Sequence, residues 1–136
     1  MNMMKMMMFR TYTSKLGFDE TVERLHAQAL ENGWTIPYTY DLQEAYIAAG
    51  HEDMTKVTIL YFCNSGGGYE ILKDDSNKMM SVLMPTGVTV YEDSRGAVKI
   101  AAMNFGLMHN FFLGTNKRVF KDAAARMARS LDSIVE

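Results

Sequence analysis

The stretch Lys56 to Cys63, KVTILYFC, constrains this chain more than any other. In an extended chain Val57, Ile59 and Tyr61 fall on one side and Leu60 and Phe62 on the other, and both sets are apolar. A run that is apolar on both faces reads as a central strand with cover on both sides. It ends at Cys63, the one cysteine of the chain, and runs into Asn64, Ser65 and three glycines, Gly66, Gly67 and Gly68. What that strand end can hold is the functional question.

The flanking sequence supplies partners for such a strand. Residues 8–15 mix aromatic and β-branched side chains in the manner of a first strand. Asp19 is placed to cap a helix reaching Asn32, with Val22, Leu25, Ala29 and Leu30 on one face and Gly33 as its stop. In residues 34–40, Trp34, Ile36, Tyr38 and Tyr40 alternate with Thr35, Pro37 and Thr39, a strand period. Pro37 cannot donate to a ladder, so this strand belongs at a sheet edge or only partly pairs, and an edge with such an aromatic face calls for cover such as a second subunit. Asp41 and Glu44 resemble a capping box for a short helix that stops at Gly50.

After the glycines, Tyr69, Ile71 and Leu72 suggest a short helix that dissolves in a polar run. Residues 84–93 and 96–104 then read as a hairpin turning at Ser94, Arg95 and Gly96. Residues 105–115 are apolar but broken by Gly106 and Gly114. A last helix, capped at Asn116, carries the stripe Phe120, Ala123, Ala124, Met127, Leu131 and Ile134. This order predicts an α+β fold: one domain over residues 9–136, a mostly antiparallel sheet covered by helices, behind a Met-rich, disordered or frayed terminus at residues 1–8.

At 136 residues the chain has the size of one domain. Its net charge of −2 gives no overall attraction to nucleic acid or anionic membrane, so neither is expected as a partner. No apolar run approaches the roughly 20 residues of a membrane span, the start lacks signal-peptide features, and a single cysteine suits a reducing compartment. A cytoplasmic location is expected.

Three chemistries suggest themselves. A strand entering glycines and a helix can form an anion-binding nest, although the segment lacks G-K-[ST], and Ile71 stands where a dinucleotide fingerprint needs its third glycine. Cys63 near a helix start can be a sulfur carrier or redox sensor, or simply a buried core residue. Six methionines within the first eight residues can offer soft ligands for Cu(I), with Cys63 or the histidines, but soft-metal sites need ligands held by a fold, and no metal site is assigned. Asp74 with Asp75, and Glu92 with Asp93, read as turn and strand-exit residues rather than an acid/base pair, while Tyr91 between them can donate to a ligand or pack. His26 reads as an ordinary helix residue, and the basic residues of the last helix, diluted by Asp122 and Asp132, read as a solvated face.

The strand ending in Cys63-Asn64, the later Met84-Pro85 and the hairpin VTVYEDSRGAVKI together resemble the domain of unknown function 302 family. The resemblance implies an α+β fold and a tendency to dimerise, and carries no assigned reaction. One branch of that family shows Cys-Asn-Pro and a later Pro-Cys. Here Ser65 replaces the first proline and Thr86 the second cysteine, which weighs against a two-thiol role.

The sequence therefore points to a dimeric, non-catalytic module binding a small ligand, anionic if the glycines form a nest, or a protein partner. Its candidate site is Cys63, Asn64, Ser65, Gly66, Gly67, Gly68 and Tyr91, with no cofactor specified. Thiol chemistry at Cys63 and soft-metal binding by the methionines are the alternatives.

Overall fold

Val57–Cys63 is an interior strand with a partner on each edge, as its composition requires. The computed structural model describes residues 2–136. Five strands, β1 (Phe9–Thr13), β2 (Thr35–Asp41), β3 (Val57–Cys63), β4 (Thr86–Glu92) and β5 (Val98–Met103), form one antiparallel sheet in the order β1-β5-β4-β3-β2. The helices are α1 (Met3–Met8), α2 (Phe18–Glu31), α3 (Leu42–Ala48), α4 (Ser65–Leu72), α5 (Phe105–Met108) and α6 (Gly114–Leu131). The expected single α+β domain is observed. Among the described residues, no helix is long and apolar enough to cross a membrane.

The two sheet faces differ. On one, Leu60, Val88, Val90 and Ile100 stand in register and are fully buried, joined in the core by Leu25 and Ala29 of α2 and by Phe120, Ala123 and Met127 of α6. On the other, Val57, Ile59 and Tyr61 stand in register with Thr89 and Tyr91 of β4 and with Tyr38 and Tyr40 of β2. Among the described residues, no strand side chain of this second face is buried. The expectation of cover on both sides of β3 thus holds for one side, because α2 and α6 both pack into the same core. The rings of Tyr38 and Tyr61 stack at 5.9 Å on the open side.

Edge strand β2 carries an irregularity. Thr35 pairs with Cys63 but Tyr38 with Tyr61, so the ladder slips across Ile36 and Pro37. Where the sequence puts Trp34, Ile36, Tyr38 and Tyr40 on one face, the slip divides them. Trp34 and Ile36 turn to the core, and the tyrosines to the open face. A bulge at a proline removes the need for a ladder donor there and re-aims the residues on either side of it.

Several local expectations shift. α2 begins after Gly17 without a side-chain cap; in place of Asp19, the buried Thr21 hydroxyl holds the Gly17 carbonyl at 2.7 Å and Ser14 Oγ at 2.7 Å. The run expected to dissolve at 73–78 leads into a 3-10 helix over Asp75–Leu83, and residues 105–111 form α5 and a further 3-10 turn. Asn116 lies within α6 rather than before it, and its Nδ2 donates to Asn77 Oδ1 at 3.1 Å, tying the 3-10 segment down. The methionine run forms α1, capped by Asn2, with no buried residue.

Candidate ligand-binding site

The antiparallel order brings the end of β3, the start of β4 and the end of β5 together at one end of the sheet. Two of these ends turn in the same way. Asn64 leaves β3 and caps α4, its Oδ1 accepting from Gly67 N at 3.3 Å, and Asn104 leaves β5 and caps α5, accepting from Leu107 N at 3.2 Å. Asparagine suits both places because its short side chain reaches the otherwise unpaired N–H three residues on. Between them the chain enters β4 through a cis Met84-Pro85 peptide.

The three glycines are helical residues of α4, and none has positive φ. They therefore form no nest, which needs alternating right- and left-handed backbone. Gly67 N is taken by the Asn64 side chain, and Gly68 N donates to the Asn64 carbonyl at 2.8 Å. Only Gly67 is required by space: a Cβ there would lie 2.8 Å from Val119 Cγ1 and 2.8 Å from Asn64 Nδ2, so it lets α4 approach α6. At Gly66 and Gly68 the nearest atoms lie 3.8 Å and 3.6 Å away, ordinary contact distances.

Beneath these turns is a cavity of about 70 Å³, partly open to solvent. Cys63, Asn64 and Gly68 line it from the β3–α4 turn, Met84, Pro85 and Thr86 from the start of β4, and Phe105, Val119, Phe120 and Ala123 from α5 and α6. Trp34, Phe62, Ile71 and Leu83 complete the wall, and no charged side chain belongs to it. Trp34 is 4% exposed and packs against Phe62 at 5.5 Å between ring centroids, yet its indole Nε1 is buried with no acceptor. His109 Nδ1 and Asn116 Oδ1 are likewise buried without a hydrogen-bond partner among the described residues.

Of the residues singled out from sequence, Cys63, Asn64 and Gly68 thus come together at the cavity. Gly67 packs behind it, Ser65 and Gly66 are exposed on the first turn of α4, and Tyr91 is elsewhere. Tyr91 pairs with Val57, six residues down β3 from Cys63, so at about 3.3 Å per residue it stands roughly 20 Å away. Strand alternation places the half-buried Cys63 on the side of Tyr61 rather than of Phe62.

The charged groups near the site lie outside it. On the outer side of α4, the Lys73 ammonium holds the Glu70 carboxyl below its ordinary range by hydrogen bond and charge, and is itself raised by Glu70. Asp74 is lowered by the hydroxyl and the N–H of Ser76. The three histidines sit on separate elements, and among the described residues no three His, Cys, Asp or Glu side chains gather as metal ligands.

Sequence reasoning missed the aromatic half of the wall. Trp34 was hidden by the slip at Pro37, and Phe105 by the broken pattern of 105–115, although the Asn-x-Gly spacing shared by residues 64–66 and 104–106 is a signal for the paired caps.

The family described as "Domain of unknown function DUF302" matches residues 10–136. The fold is similar to the crystal structure of an uncharacterized conserved DUF302 protein from Bacillus stearothermophilus, with a TM-score of 0.77 and 24% identity over 91% of this chain and 95% of that one. No curated protein matches the chain.

Proposed function

This chain belongs to the DUF302 family, and we propose that it is a cytoplasmic, non-catalytic binding module that takes a small ligand in the cavity under the β3–α4 turn. The observation that carries this reading is the convergence of three strand ends and two asparagine-capped helices on one walled space. Concave, mostly apolar sites with a few polar groups are where small molecules bind. The test is ligand-observed NMR with uncharged compounds of about three to eight heavy atoms, a size chosen for a small pocket. Saturable binding that disappears in Ala123→Leu, which fills the cavity, is expected. Binding that survives this change, or no saturable binding of any compound, would refute the reading.

We further propose that the module is a homodimer joined through the open sheet face. Support comes from the register of Tyr38, Tyr40, Ile59, Tyr61 and Tyr91 on that face, with Tyr38 57% exposed. The patch of Tyr38, Tyr40 and Tyr61 is uncharged, with Lys99 at its margin opposite Tyr91, and such an aromatic surface can meet its own copy across a two-fold axis.

Thiol chemistry is the second reading, favoured by one observation: Cys63 is only half-buried. Cys63 also lines the cavity, so the two readings share this residue and are told apart by their tests, alkylation for the thiol and ligand titration for the cavity.

A further inference from the structure

We propose that the end of the molecule carrying α1, α5 and the start of α6 is a docking surface for an anionic lipid membrane, with the methionines of α1 entering the acyl boundary and the lysines of α6 meeting the headgroups. The proposal is independent of the ligand and dimer readings above.

Charge is segregated in this chain. Residues 2–18 and 97–121 contain Lys5, Arg10, Lys15, Lys99, Lys117, Arg118 and Lys121, half of the 14 lysines and arginines, and none of the 16 aspartates and glutamates. The net charge of −2 conceals this, because all the carboxylates fall in the rest of the chain. The two segments are neighbours in the fold. β1 pairs with β5, and α1 packs on α5. Asn104 fixes α1 there, its backbone N–H donating to the Met8 carbonyl at 2.8 Å and its Nδ2 to the Met6 carbonyl at 3.2 Å. Glu136 meets Thr13, at the end of β1 away from α1, and so dilutes the charge near Lys15 and Lys99 but not at α1. Among the described residues Lys5, Lys117 and Lys121 have no ion-pair partner.

Apolar exposure coincides with this charge. α1 is five methionines and one lysine, and none of its side chains is buried. A helix apolar on every side is ordinarily a covered one. Met3, Met4 and Met6 are each more than half exposed, and next to α5 the chain turns into α6 through Phe111 and Leu113, 64% and 87% exposed. Nucleic acid or a purely acidic surface would satisfy the lysines and leave these side chains in water. A lipid interface accommodates both, since apolar side chains enter below the headgroups while cations stay among them. The unbranched methionine side chain adapts to such a fluid layer.

The test sediments the full chain with vesicles of phosphatidylcholine alone and with vesicles containing about a third phosphatidylserine. Binding is expected to be about tenfold tighter to the anionic vesicles and to weaken as salt is raised to about 0.5 M. Lys117→Glu with Lys121→Glu, and separately Met3→Gln with Met4→Gln and Met6→Gln, should each weaken it about tenfold. Both variants should keep the wild-type melting temperature, because none of these side chains is buried. No sedimentation with anionic vesicles, equal binding to both vesicle types, or variants that bind like wild type would overturn the proposal. If only the lysine variant loses binding, or soluble polyglutamate binds as tightly as the vesicles, the surface serves an acidic macromolecule and the membrane proposal falls.

Discussion

The two faces of the sheet are made from similar residues and behave differently. Leu60 and Ile59 are neighbours on β3, yet Leu60 is fully buried while Ile59 remains half-exposed. The difference lies in the helices: α2 and α6 both pack on the Leu60 side, and α3 buries none of its residues. Folding one chain thus consumes one face of an apolar strand and leaves the other as surplus. The sealed face carries stability and encloses the cavity; the open face is available for assembly.

The strongest way to break this comparison is to truncate each face in turn. Leu60→Ala should cost about 2–5 kcal/mol in chemical denaturation, and Ile59→Ala at the half-exposed position about 1 kcal/mol. Equal losses would mean that both faces bear the core.

A second contrast lies within the glycine run. Gly67→Ala drives a Cβ against Val119 and Asn64 and should destabilise by about 1–3 kcal/mol, whereas Gly66→Ala, meeting no close atom, should be neutral or stabilising by up to about 1 kcal/mol. If both variants lose stability alike, the packing role assigned to Gly67 is wrong.

For the open face, Tyr38→Lys together with Tyr61→Lys should halve the mass seen by light scattering while leaving the far-ultraviolet circular dichroism unchanged. A wild-type mass that is monomeric at every concentration would remove the dimer. On the same face, native Cys63 should react with a small alkylating reagent to one adduct per chain by intact mass. Reaction only after unfolding would remove thiol chemistry from consideration.

The smallest expected effect belongs to the end of the sheet opposite the cavity. In the β4–β5 turn the Arg95 and Ala97 N–H groups donate to Asp93 Oδ1 at 2.9 Å and 3.0 Å, holding the carboxyl below its ordinary range. A depressed folded pKa contributes stability that is present above the unfolded value of about 4 and fades as pH falls through the folded one. The melting temperature of Asp93→Asn should therefore lie slightly below wild type at neutral pH, with the gap closing below about pH 4. A gap that persists in acid would contradict this linkage.

Much of this architecture was legible in local signals. Gly33, Gly50 and Gly96 were read as stops or turns, and all three take positive φ, a requirement set by neighbouring residues alone. The strand β3, the hairpin and the Asp41 cap, whose side chain accepts from Glu44 N at 3.0 Å, are equally local. What was illegible depends on distant partners. The slip at Pro37 is defined only against β3, and it decides that Trp34 joins the cavity wall rather than the tyrosine face. Likewise the glycines read as a loop until Asn64 is seen to cap them into a helix against Val119. The cavity lies where the strand ends, but part of its wall comes from α5 and α6, about 40 to 60 residues along the sequence from Cys63.

The most direct test of the central claim, that the space under the β3–α4 turn is a binding cavity, is a crystal structure of the protein under xenon pressure. Apolar cavities stay free of water and take up xenon. The account predicts a xenon atom among Phe62, Ile71, Val119 and Phe120, with no ordered water in the same space. A cavity closed by its own side chains, or filled by hydrogen-bonded waters, would contradict it.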